Sequence, residues 1–137
     1  MNAYGTLLKK LIRFTNIKLT NLAEIVGYDT SYISKWCNKG KLPAAKAAPN
    51  VNKCLADVFA REIIIQEEAT LFAAEFNASG PYDESSLSST IFQLLKDAYK
   101  RSYDNTSENA QLAGLSSQRM LLWQLDIKNF FVTELPQ

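Results

Sequence analysis

Apolar side chains at Tyr4, Leu7, Leu8, Leu11 and Ile12 recur at the spacing of one buried helical stripe, so residues 3–14 are predicted to form a first helix. A second helix is expected over about residues 18–26. Leu19, Leu22, Ala23, Ile25 and Val26 form its apolar face, Asn16 is its candidate cap, and Gly27 is the residue free to end it. Asp29 then stands where an N-cap is wanted, with Thr30, Ser31 and Tyr32 as the first turn of a third helix over residues 30–38. On that helix Ile33 and Trp36 share the inward face, which leaves Thr30, Ser31, Ser34, Lys35 and Asn38 for solvent or a ligand. Gly40 and Pro43 in "NKGKLP" close it.

The pattern resumes after "AAKAAPNVNK", where Asn50 or Asn52 can start the next helix. Its apolar side is Leu55, Val58, Phe59, Ile63 and Ile64, and the run continues to Phe76 as one long helix or two. "NASGPYDESS" is the clearest break in the chain. A helix over roughly residues 87–103 follows, then a polar connection, "DNTSENAQLAGLSS", and a last helix at "QRMLLWQLDIKNFF". The expected fold class is all-α.

Composition narrows the chemistry. Five glycines and four prolines in 137 residues, with 47% hydrophobic and 21% charged side chains, fit a helical globular chain. The sequence has no histidine, which removes the usual neutral-pH base and the commonest zinc ligand. Cys37 and Cys54 are too few and too far apart for a structural zinc site and read as reduced thiols. No metal or cofactor is expected. Lys9, Lys10 and Arg13 interrupt the N-terminal apolar run before it reaches signal-peptide length, and no stretch approaches the roughly 18 apolar residues of a membrane span. The expected location is the cytoplasm, with no membrane partner.

A net charge of +1 conceals a division. Residues 1–50 carry eight basic and two acidic side chains, a balance of +6, while residues 51–137 carry seven basic and twelve acidic, a balance of −5. Asymmetry of this kind suggests a polyanion-facing module joined to a part with a different task.

Two helices meeting through a tight turn need a small residue at the crossing, a glycine in the turn and a branched apolar residue plugging the angle. Ala23, Gly27 and Ile33 stand at those spacings, with Leu22, Val26 and Trp36 around them. On "LAEIVGYDTSYISKW", a downstream "GKLP" and the preceding amphipathic helix, the segment from about Tyr4 to Ile63 resembles the helix-turn-helix domain of the lambda-repressor, Cro and Xre-like transcription regulators. The resemblance implies a five-helix DNA-binding domain over residues 1–65, with the helix at 30–38 entering the major groove. Residues 66–137 read as a helical extension whose apolar side chains form either a dimer interface or the internal core of a second helical subdomain, or which begins an effector domain. Two positions depart from the family pattern. Leu19 stands where a phosphate-holding Gln is common, and Cys37, Asn38 and Lys39 precede Gly40 where the family often has Glu, one residue and Gly.

The physical case for double-stranded DNA is independent of the family. Lys35, Lys39 and Lys41 lie on and just beyond the third helix, Lys18 lies at the start of the second, and cations at such places neutralise phosphates. Thr30, Ser31, Ser34 and Asn38 are short polar groups able to read base edges, Lys35 can reach a guanine, and Tyr32 can lie on the backbone. Any single Ser or Thr among them is equally well read as ordinary helix surface. A homodimer is expected, since one recognition helix covers too few base pairs. The alternative is a helix-turn-helix adaptor or inhibitor module that binds protein, and the C-terminal helices could also receive an effector or protein partner. An enzyme is not expected: no nucleophile elbow or Gly-rich phosphate loop is present, and Glu67 and Glu68 sit on what reads as a plain amphipathic surface.

Overall fold

A computed structural model describes the backbone of residues 2–117 and the side chains of residues 2–104. The described residues are all-helical: α1 (Ala3–Thr15), α2 (Leu19–Val26), α3 (Thr30–Asn38), α4 (Ala48–Ile65), α5 (Ala69–Phe76) and α6 (Glu84–Ser117). Four helices therefore end by Ile65, and a fifth begins at Ala69.

The stripe expected on α1 is the centre of the core. Tyr4, Leu8 and Leu11 are fully buried, with Leu7 and Ile12 partly covered. Residues from both sides of position 65 join them in one cluster, including Leu22, Ile33, Leu55, Phe59, Ile63, Phe72, Leu87, Ile91 and Leu95. Burying each such side chain fully contributes roughly 1.5–3 kcal/mol, so α6 belongs to the body that holds α1 and α4. Polar contacts fix the same arrangement. The Tyr4 amide, one of the first-turn donors of α1 that the helix itself leaves unpaired, donates to Ser102 Oγ of α6 at 3.0 Å. Tyr99 of α6 meets the Tyr4 ring edge-on at 5.7 Å and donates its hydroxyl to the Pro43 carbonyl at 2.8 Å.

Several helix ends differ from the sequence expectation. Asn16 does not cap α2. It closes α1 in the left-handed region at φ 57°, and Lys18 is the N-cap of α2, with no side-chain cap bond. Neither Asn50 nor Asn52 starts α4, which begins at Ala48 with Pro49 in its first turn, where a missing amide costs nothing. Asn52 is instead buried. The long run to Phe76 is two helices. Glu67 takes φ 56°, and the amides of Glu67 and Glu68 turn back to the carbonyls of Ile64 and Ile63, a Schellman-type close. The next helix starts at Glu84, before residue 87, because Asp83 accepts from the Ser86 amide at 3.2 Å and its hydroxyl at 2.8 Å. It continues to Ser117, through the segment expected as a polar connection; polarity alone did not break a helix that lacks internal proline. The last expected helix, at 118–131, lies outside the described residues.

Candidate nucleic-acid interface

The junction of α2 and α3 is built by backbone bonds around Ala23. Its carbonyl accepts the Gly27 amide at 2.9 Å and the Tyr28 amide at 3.0 Å, and Gly27 takes φ 81°, as a left-handed turn residue should. A Cβ at Gly27 would meet nothing within 4 Å, so the glycine is required by its backbone angle and not by crowding against Ile33. Ala23, Leu22, Ile33 and Trp36 are buried as the spacing predicts, and Cys37 is buried with them. Ile25 is not: it is 54% exposed, on the side of α2 turned away from the core. Asp29 occupies the N-cap position of α3 in extended conformation, yet its side chain makes no capping bond; its carbonyl accepts the Tyr32 amide at 3.0 Å.

The outer face of α3 carries the expected side chains. Ser31, Tyr32, Lys35 and Asn38 are exposed, and Thr30 and Ser34 are half-buried. Ser34 and Lys35 lie three and four residues after Ser31, and Asn38 four and three residues after them, which aligns all four along one side of the helix. Lys18, Lys39 and Lys41 are exposed around it. Ion pairs among the described residues join Lys53 to Asp57, Arg61 to Glu84 and Lys100 to Asp104, and so leave these four lysines without a carboxylate partner. Lys35 Nζ lies 5.8 Å from the Tyr32 ring centroid, a loose cation–π contact that the exposed ring can exchange for a ligand. Leu19 is half-buried against the core, where it has no group to offer a phosphate.

Three positioning contacts were not anticipated. Tyr28 stands edge-on to both Trp36 (5.2 Å) and Tyr32 (5.7 Å), so an aromatic chain runs from the core to the 52%-exposed Tyr32. The four-residue spacing of Tyr28, Tyr32 and Trp36 is the signal that could have revealed it. Gly5 lies where α1 presses on the end of α3: a Cβ there would run into the Trp36 carbonyl oxygen and sit 3.1 Å from that of Cys37. Asn2 accepts from the Gly5 amide at 2.8 Å and donates to the Gly40 carbonyl at 3.0 Å, tying the start of α1 to the loop after α3. These contacts set the angle at which α3 presents its outer face.

Burial pushes the Cys37 thiol up, against the opposing pull of the Lys9 charge, which makes it a poor nucleophile. No cluster of three or more His, Cys, Asp or Glu side chains suited to a metal ion occurs among the described residues, and none of their helices is long and apolar enough to cross a membrane. Comparison of the chain with family models, with curated proteins and with solved structures gave no match.

Proposed function

We propose that this protein is a sequence-specific, double-stranded DNA-binding transcription regulator. In this reading the N-terminal part of the chain, about residues 1–65, is a lambda-repressor-like domain, α3 enters the major groove, and two copies bind together. The observation that carries the proposal is the coincidence of two features on one short segment. The α2–α3 turn has the small residue, the positive-φ glycine and the buried plug of a helix-turn-helix. The outward side of the same unit bears lysines with no carboxylate partner and a line of short polar groups. Core packing explains the first feature and gives no reason for the second.

The roles follow from reach and charge. Ser31, Ser34, Lys35 and Asn38 address base edges, with Thr30 at the start of the helix beside them. Lys18, Lys39 and Lys41 neutralise phosphates, and Tyr32 lies along the backbone. With Leu19 unable to hold a phosphate, Lys18 carries that side of the contact. Two-fold association supplies the second half-site.

Selection from random duplex DNA, followed by a salt titration on the recovered sequence, tests the proposal. A palindromic site whose affinity falls steeply with salt is the expected result. Failure to enrich any sequence, together with a salt-insensitive protein partner, favours the adaptor reading, for which the exposed Ile25 on α2 is the specific observation.

A further inference from the structure

A groove of about 390 Å³ between α1 and α5 is lined by Thr6, Lys9, Lys10, Arg13, Phe14 and Glu75. It has three cations against one carboxylate, and no described ion pair joins them. Two other grooves differ in sign: that between α4 and α6 sets Lys53 against Asp57 and Glu84, and that between α2 and α4 sets Arg61 against Glu24, Asp57 and Glu62. We infer that the α1 groove is a second phosphate-binding track for nucleic acid, continuous with the α2–α3 face. The inference rests on the DNA-binding reading above and extends it to a surface outside the helix-turn-helix.

Lys9 lies one turn beyond Gly5, the point where α1 abuts the last carbonyls of α3, and its charge acts on the Cys37 thiol of α3. Arg13 lies in the last turn of α1, from which the chain turns at Asn16 and reaches Lys18 at the start of α2. Residues four apart share a helix face, about 5–6 Å between Cβ atoms. The Lys9–Arg13 edge therefore runs from the end of α3 toward the start of α2, the two places where phosphate contacts are already assigned.

Lys10 is held in the groove, its ammonium donating to the Glu75 carbonyl at 3.0 Å and standing 4.5 Å from the Phe76 ring centroid. That ring in turn packs edge-on against Phe14 at 5.6 Å and stacks on Phe72 at 4.7 Å. Lys10, already fixed, costs little further side-chain entropy when a polyanion arrives, and Lys9 and Arg13 beside it have no described carboxylate to give up.

The experiment compares the full chain with Lys9→Gln/Arg13→Gln on the duplex recovered by selection, over roughly 50–200 mM salt. Lys96→Gln/Arg101→Gln on α6 removes the same net charge elsewhere and serves as the control, with thermal melts verifying that all three proteins fold. Each phosphate contact contributes about 0.9 to the slope of log K against log salt. The groove variant should lose about 1–2 in that slope relative to the control, with base preference unchanged. A groove variant whose slope equals that of the control overturns this inference and leaves the α3 interface standing. Absence of DNA binding by the unaltered chain overturns the functional proposal, and this inference with it.

Discussion

The Tyr4 hydroxyl donates to Asn52 Oδ1 at 2.7 Å inside the core, where Tyr4 is 0% and Asn52 3% exposed. The pair joins α1 to α4, and each partner is the reason the other can be buried. Tyr4→Phe should therefore cost about 1–3 kcal/mol, the usual penalty for leaving a buried polar partner unpaired. Adding Asn52→Leu should recover part of that loss, because removing both polar groups ends the mismatch. Chemical denaturation of the two single variants and the double variant gives the coupling.

The same burial makes the tyrosine a sensor of high pH. Desolvation, reinforced by Tyr99 and Cys37, pushes the Tyr4 hydroxyl well above its ordinary value. A group raised in the folded state contributes stability that is fully present below its unfolded pKa, near 10, and is lost as pH rises beyond it toward the folded value. Stability should fall above about pH 10. Tyr4→Phe should start lower and show a flatter alkaline limb, and a limb as steep as that of the unaltered protein would exclude Tyr4 as its source.

Two glycines make a contrasting pair. Gly27 has open space at its Cβ position and a φ of 81°, so Gly27→Ala should cost only the left-handed strain, roughly 1–2 kcal/mol. Gly5 sits in ordinary helix, and its added Cβ would strike the Trp36 carbonyl, a backbone atom that no rotamer change can move aside. Gly5→Ala should force α1 and α3 apart at about 1–3 kcal/mol, the range for overpacking. It should also weaken ligand binding by re-aiming α3, which Gly27→Ala should do less. Melting temperatures and binding isotherms on both variants separate strain from displacement.

Asp57 and Asp83 are two carboxylates whose protonation should weaken the fold in acid. Asp57 is held below the usual range chiefly by the Ser88 hydroxyl, with Lys53 assisting, and Asp83 chiefly by the Ser86 hydroxyl and amide at the start of α6. Groups lowered in this way contribute stability that is present above the unfolded carboxylate value, about 3.9, and is lost as pH falls through the folded ones. Asp57→Asn and Asp83→Asn should each lower the melting temperature at neutral pH and flatten the decline below pH about 4. Unchanged acid limbs in both variants would assign that decline to other carboxylates.

The all-helical class, the α1 stripe and the Ala23–Gly27–Ile33 junction were legible because they depend on residues close in sequence, where helical period and turn chemistry act directly. Ile25 was misplaced because α2 is short: a two-turn helix with apolar residues on several sides does not reveal which of them the rest of the chain will cover. Gly5 and the Asn2 bond to Gly40 were invisible for a different reason. Their partners lie more than a helix away, and a glycine within a helical pattern gives no sign of a neighbouring backbone. The Schellman close at Glu67 was likewise hidden, because a glutamate at φ 56° contradicts the residue preference by which such turns are found.

The lysines of the proposed interface should separate by role. Lys35 lies along the same side of α3 as Ser31 and Asn38, and no carboxylate competes for its ammonium among the described ion pairs. If it reads a base, Lys35→Ala should cost about 1–3 kcal/mol of binding and relax preference at one base pair. Removing Lys39 or Lys41, which lie past the helix end, should weaken all sequences alike and reduce the salt slope by about one. Ser31→Ala provides the internal check. Its hydroxyl is exposed and carries no described hydrogen bond, so stability should change by less than about 0.5 kcal/mol while affinity or base preference shifts. Binding isotherms on a panel of single-base variants of the selected site distinguish these patterns. A uniform loss across that panel for Lys35→Ala would move Lys35 from the base edges to the phosphates, and leave Ser31, Ser34 and Asn38 to account for any specificity.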